Sequence, residues 1–159
     1  FVKYTSKWEC KPAKDRIVKF EKKIKDYLCR RKAIARTLAK TFTKLNQIIR
    51  GWINYFKIGC IKYFLNRFGQ WLRHKIRCII IKQWKKPMTI YRNLMMLNIK
   101  CKCRFQQEDI FKCANTRLGW YRRSGLNVVN FILSPKLLGI KKGDRPGLVH
   151  PLNYYLKSL

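Results

Sequence analysis

Between Tyr27 and Gln107 the chain runs for 81 residues without an Asp or Glu while carrying 20 Lys and Arg, and its apolar residues keep helical spacing throughout. These two properties act together on the fold. A disordered basic arm is poor in apolar residues, whereas this stretch holds Trp52, Trp71, Trp84, Phe42, Phe56, Phe64 and Phe68. The charge is therefore expected on a rigid scaffold. A formal net charge of +31 on 159 residues opposes compaction by self-repulsion unless an acidic partner compensates it. The expected partner is a nucleic acid backbone.

The length suffices for one core plus a small appendage, and 47% hydrophobic with 14% aromatic residues can repay the ordering entropy that a disordered chain cannot. No apolar run reaches the roughly 18 residues of a membrane span; the longest comparable piece, Cys78 to Ile81, is flanked by Arg77 and Lys82. No membrane partner is expected, because the apolar stripes are needed for mutual packing. The first residue is Phe and no signal-like segment follows, so the chain reads as a piece of something longer or a processed product. Seven cysteines without framework spacing favour a reducing, intracellular setting, a bacterial cytoplasm or an organelle. Cys101 and Cys103 are one residue apart and the histidines are His74 and His150, a set too sparse for zinc. No metal or cofactor is expected.

Phe1, Tyr4 and Trp8 alternate with polar residues around Thr5-Ser6-Lys7, which predicts a short hairpin or an extended lead-in over residues 1–11. Pro12 and Asp15 suit the opening turn of a helix from about Ala13 to Leu28, with Ile17, Phe20, Ile24 and Tyr27 as its buried stripe. Cys29-Arg30-Arg31-Lys32 reads as a basic link, either a solvated connector or a phosphate contact. Leu38, Phe42, Leu45, Ile49, Trp52 and Phe56 recur at steps of three and four, the seam of a second helix. Gly59 is expected as its left-handed cap, and Gly51 as a point of close helix approach. A third helix is predicted from Ile61 to about Lys85 on Phe64, Leu65, Phe68, Leu72, Ile76, Ile79 and Ile80, with Pro87 as its stop. The spacing predicts shorter helices over Met88 to Leu97 and Gln107 to Asn115, before a Gly- and Pro-punctuated remainder.

The predicted fold is mainly α: a small helical bundle over 12–86, then a small, irregular, partly helical module over 87–159. Its outward faces carry the candidate RNA-binding residues. The link supplies Arg30 and Arg31. The second helix supplies Arg36, Lys40, Lys44, Arg50, Asn54 and Lys57, with Gln47 among them. The third supplies Arg67, Arg73, Lys75, Arg77, Lys82 and Lys85, followed by Lys86 and Arg92. Further on stand Asn115, Arg117, Trp120, Arg122 and Arg123. Residues three and four apart on a helix lie about 5 to 6 Å apart, so such faces position a duplex by its phosphates without reading bases. Asn54, Gln47 and Asn115 can reach 2′-hydroxyls in the shallow minor groove of an RNA-containing duplex. Trp71 and Trp120 lie off the strongest stripes and are candidates for stacking on unpaired bases, Trp52 reads as core, and His74 as a surface histidine.

The run Leu45-Asn46-Gln47-Ile48-Ile49-Arg50-Gly51-Trp52-Ile53-Asn54-Tyr55-Phe56 resembles the maturase-specific segment of group II intron reverse transcriptases, whose hallmark is a Leu-Asn, Arg-Gly-Trp, Asn-Tyr-aromatic series. Trp71-Leu72-Arg73-His74-Lys75-Ile76-Arg77, Lys82-Gln83-Trp84-Lys85-Lys86-Pro87, Ala114-Asn115-Thr116-Arg117 with Gly119-Trp120-Tyr121-Arg122, and the tail from Gly147 to Leu156 are similar to later family motifs. The resemblance implies a thumb, or domain X, followed by a DNA-binding-like segment, with fingers and palm elsewhere. The implied partners are structured intron RNA, an RNA/DNA duplex and the fingers-palm part of the same reverse transcriptase. Polymerisation needs carboxylates for two metal ions, and Glu108-Asp109 sit in no aromatic-x-Asp-Asp setting. They read as the acidic first turn of a helix, and no catalysis is expected of this chain. A generic architectural nucleic-acid-binding protein of ribosomal or chromatin type is the alternative.

Overall fold

The computed structural model describes residues 2–4 and 7–159, with side-chain surroundings from Trp8 onward except for Arg30. Strands β1 (Val2–Tyr4) and β2 (Lys7–Glu9) pair antiparallel, with Val2 opposite Glu9. The lead-in is thus a hairpin, although Phe1 and the expected turn residues Thr5 and Ser6 lie outside the described residues. Helices follow as α1 (Lys14–Tyr27), α2 (Arg30–Ala35), α3 (Leu38–Phe56), α4 (Lys62–Trp84), α5 (Pro87–Cys101), α6 (Gln107–Ala114), α7 (Trp120–Ser124), α8 (Asn127–Ile132), α9 (Pro135–Leu138) and α10 (Pro151–Ser158). The protein is mainly α.

The chain divides into two compact units, one of Phe1–Trp71 with Gly139–Leu159, the other of Leu72–Leu138. In the first, α3 starts at Thr37, whose side chain accepts from the Lys40 backbone N–H at 3.4 Å. It buries Phe42, Leu45, Ile49 and Ile53 completely. Each such side chain contributes about 1.5 to 3 kcal/mol. The seam is rotated slightly from the expected one: Ile53 is its fully buried member, and Trp52 stands half-buried at its edge. There Trp52 stacks on Phe20 of α1 with ring centroids 4.7 Å apart, beside Phe56 at 4.7 Å and Phe64 at 5.3 Å. The segment read as a basic link is itself helical, because Ala33 is fully buried and gives α2 an inward side.

Both glycine expectations change. Gly59 is not left-handed; α3 ends before it, and a Cβ there would stand 3.1 Å from the Cys10 carbonyl oxygen. The hairpin's exit passes close by, with the Cys60 N–H donating to the Cys10 carbonyl at 2.8 Å, so a side chain at 59 would press on that backbone. Gly51, expected at a close helix contact, meets nothing within 4 Å.

In the second unit, α4 stops at Trp84. Lys85 then turns left-handed and Pro87 opens α5. That helix runs to Cys101, beyond the expected Leu97, and the buried Asn98 secures its end: its amide donates to the Phe105 carbonyl and its Oδ1 accepts from the Phe105 N–H, both at 3.1 Å. The region after Asn115 holds the short helices α7, α8 and α9. No helix among the described residues is long and apolar enough to cross a membrane.

Candidate nucleic-acid interface

On α3 and its C-terminal cap the residues opposite the buried side are all exposed: Lys40, Lys44, Gln47, Arg50, Asn54 and the capping Lys57, separated by three or four residues. A helix turns once in 3.6 residues, so this spacing makes one stripe. None of its four cations pairs with a carboxylate among the described residues; Lys11 and Glu9, at 3.5 Å, do form a pair. α10 borders the stripe. The Tyr154 hydroxyl donates to Asn54 Oδ1 at 3.1 Å, and the Arg50 guanidinium lies 5.8 Å from the Tyr154 ring centre. Tyr154 was not among the expected residues, and a partner 100 positions away leaves no local sequence signal. Tyr55, 78% exposed, was also missed, although helical spacing puts it on this same face.

The other expected residues of this unit are placed differently. Arg31 and Arg67 are exposed, and Arg30 belongs to α2 with its side chain outside the described residues. Arg36 precedes α3 rather than lining it. Its guanidinium lies 3.8 Å from the Tyr27 ring centre and donates to the Tyr27 carbonyl. That fastens the end of α1, so Arg36 is withdrawn from the outward face. Trp71, half-buried, lines a groove of about 460 Å³ with Ile17, Glu21, Lys25, Tyr63, Phe64, Arg67 and Phe68.

Residues 17–97, 81 of the 159, match the family model of the group II intron, maturase-specific domain. The chain belongs to that family. No curated protein matches it.

Within this maturase-specific domain the hallmark run splits by side. Asn46 points inward: its amide donates to the Gly147 carbonyl at 2.8 Å and its Oδ1 accepts from the Val149 N–H at 2.9 Å. Arg50, Gly51, Asn54 and Tyr55 face solvent.

In the second unit Arg77 corrects the expectation of an outward cation. It is 8% exposed, and it donates through Nε to the Leu133 carbonyl at 2.8 Å and through a terminal nitrogen to Asn130 Oδ1 at 3.2 Å. Burial pushes its guanidinium pKa down, helped by the charge of Arg73; burial alone lowers Arg73. Arg77 ties the loop after α8 to α4. His74, read as a surface histidine, is partly covered: Nε2–H donates to the Tyr121 carbonyl at 2.9 Å and its ring lies 4.0 Å from the Tyr121 ring. Lys75 lies 5.3 Å from the same ring. Trp120 is half-covered, with the Arg123 guanidinium 4.8 Å from its ring centre; Arg123 also donates to the Thr116 carbonyl. Asn115 ends α6 and donates to the Phe111 carbonyl at 3.0 Å. Lys85, Lys86, Arg92, Arg117 and Arg122 are exposed, or nearly so, and Arg73 and Lys82 are more covered.

Glu108 and Asp109 occupy the first turn of α6, where acids offset the exposed amides. Among the described residues no three His, Cys, Asp or Glu come together to hold a metal. The exposed, closely spaced cations suit the arrangement to polyanions.

Proposed function

We propose that the chain is the non-catalytic RNA-binding portion of a group II intron reverse transcriptase and maturase, holding intron RNA for splicing and a template–primer duplex during copying and intron mobility. Its membership in the maturase-specific family supports this reading, and one observation carries it: the exposed α3 stripe of Lys40, Lys44, Arg50 and Lys57, unpaired with any described carboxylate. Residues 12–86 act as the thumb-like part and 87–159 as a smaller nucleic-acid-binding module, with the fingers and palm supplied by the rest of the reverse transcriptase. Arg31, Arg67, Lys86, Arg92, Arg117 and Arg122, outward on the surface, add phosphate contacts together with Lys85.

The test is competition. The chain is titrated with structured group II intron RNA and with random-sequence duplex of equal length at rising salt. Contacts to six to ten phosphates weaken binding by roughly a thousandfold to a hundred-thousandfold between 50 and 200 mM salt. A retained preference for the intron RNA supports the maturase reading, and equal affinity leaves the architectural one.

A further inference from the structure

The fold brings together two cysteines that are far apart in the sequence. Cys10 lies at the hairpin's exit after β2, Cys60 lies at the corner between α3 and α4, and the Cys60 N–H donates to the Cys10 carbonyl at 2.8 Å. A backbone bond between two passing segments sets their Cα atoms about 5.5 Å apart, inside the window of roughly 4.4 to 6.8 Å that a disulfide spans. The meeting point is held from a third direction as well. The hydroxyl of the buried Tyr155, on α10, donates to the Gly59 carbonyl at 3.0 Å. Both cysteines are nonetheless free and exposed, so a small oxidant reaches either one. The other candidates differ: Cys78 and Cys113 are buried, and Cys101 and Cys103 are separated by a single residue, so a bond between them would close no long loop.

We propose that Cys10 and Cys60 form a site of reversible oxidation, a dithiol that a hydroperoxide converts into a disulfide clasping the hairpin's exit to the α3–α4 corner. One thiolate attacks the peroxide, the O–O bond breaks, and the sulfur becomes a sulfenic acid. The second sulfur then displaces the hydroxyl, which leaves as water while the S–S bond forms. The two thiols give up two electrons and two protons; with hydrogen peroxide the products are the disulfide and two waters. A dithiol reductant restores the thiols by exchange. In the reduced protein non-covalent bonds hold the exit to the corner, and a transient opening there separates them. The covalent bond closes a loop of about 50 residues, which restricts the unfolded chain and prevents that opening. The site is independent of what the charged stripe of α3 binds.

The experiment treats the whole reduced chain, dilute and folded, with one equivalent of hydrogen peroxide, blocks the remaining thiols and maps disulfides by mass spectrometry after proteolysis. A Cys10–Cys60 peptide pair is expected as the main product in the parent and in Cys101→Ser, and in neither Cys10→Ser nor Cys60→Ser. Both of those replaced positions are exposed, so the serine variants should keep the parent's circular dichroism. The oxidised parent should melt about 4 to 8 °C higher than the reduced one, and the Cys60 amide should exchange about tenfold more slowly. Dithiothreitol should reverse both changes. A main product that pairs Cys101 with Cys103, or that links two chains, overturns the assignment. So does a Cys10–Cys60 bond that forms as readily in denaturant as in the folded protein, because the fold would then contribute nothing. A bond that forms but leaves the melting temperature and the Cys60 amide unchanged overturns the clasp.

Discussion

The amide nitrogen of Asn46 donates to the carbonyl of Gly147 at 2.8 Å, and one residue of the hallmark run thereby anchors a segment 101 positions away. Its Oδ1 takes the Val149 N–H at 2.9 Å, so a side chain inside a helix supplies both partners that a strand would otherwise provide. Gly147 can sit there because it has no side chain: a Cβ would fall 2.0 Å from the Gly139 carbonyl oxygen. Across the turn between those glycines, Lys142 and Arg145 exchange backbone hydrogen bonds at 3.0 Å around Gly143, which takes the left-handed φ of 57°.

Replacing Asn46 by Leu leaves the Gly147 carbonyl and the Val149 N–H without their partner. An unsatisfied buried polar group costs about 1 to 3 kcal/mol, so a loss of about 2 to 3 kcal/mol is expected in denaturant unfolding. Amide exchange at Val149 should accelerate in step. A loss below about 0.5 kcal/mol, the size of an ordinary surface substitution, would mean that water replaces both bonds.

Arg77→Met separates structure from binding. The substitution removes donors from the Leu133 carbonyl and Asn130, and the expected cost is about 1.5 to 3 kcal/mol, the range for bonds made by a charged group. RNA affinity of the folded protein should stay within twofold of the parent. A tenfold fall in affinity at full folding would return Arg77 to the interface.

Lys44→Gln and Arg50→Gln together test the stripe from the other side. Both residues are exposed, so the melting temperature should hold. Every phosphate that the protein ceases to neutralise lowers the slope of log affinity against log salt by about one, giving a fall of about two for the pair. An unchanged slope would place the phosphates elsewhere.

Trp52 and Ile53 rank by burial rather than by size. Ile53→Ala, at a fully buried position, should cost about 2 to 5 kcal/mol. Trp52 is half-buried and stacked on Phe20, so Trp52→Ala should cost about 2 kcal/mol, below the usual 3 to 5 for a buried aromatic. Urea unfolding of the two variants decides the order.

The cysteines offer a chemical readout. Burial pushes the Cys113 thiol up from its ordinary value, against a smaller downward pull from Arg123. The thiolate is the reactive species, so native Cys113 should resist iodoacetamide at about pH 8 while exposed Cys29, Cys60 and Cys101 react. The sign for stability follows. A folded pKa above the unfolded one means that folding retains the proton, so this contribution is complete below the unfolded pKa of about 8.5 and is lost as pH rises through the folded value.

Local periodicity was sufficient for what depends on it. The steps of three and four in α1, α3 and α4 determined that these segments are helices, which side of each is buried, and that Lys40, Lys44, Arg50, Asn54 and Lys57 share the opposite side, because the period of a helix is a property of neighbouring residues. The hallmark run around Arg50 likewise carried the family. Tertiary structure decided the rest. Arg77 lies in a stretch of cations and looks like its neighbours, yet it turns inward because a carbonyl and an amide more than 50 positions away wait for it. Asn46 and Asn54 are both amides on one helix, and distant Gly147 and Tyr154 give them opposite surroundings. Gly59 and Gly51 both depart from expectation for the same reason: whether a missing Cβ makes room for a neighbour depends on which backbone passes by, and that is set by the path of the whole chain.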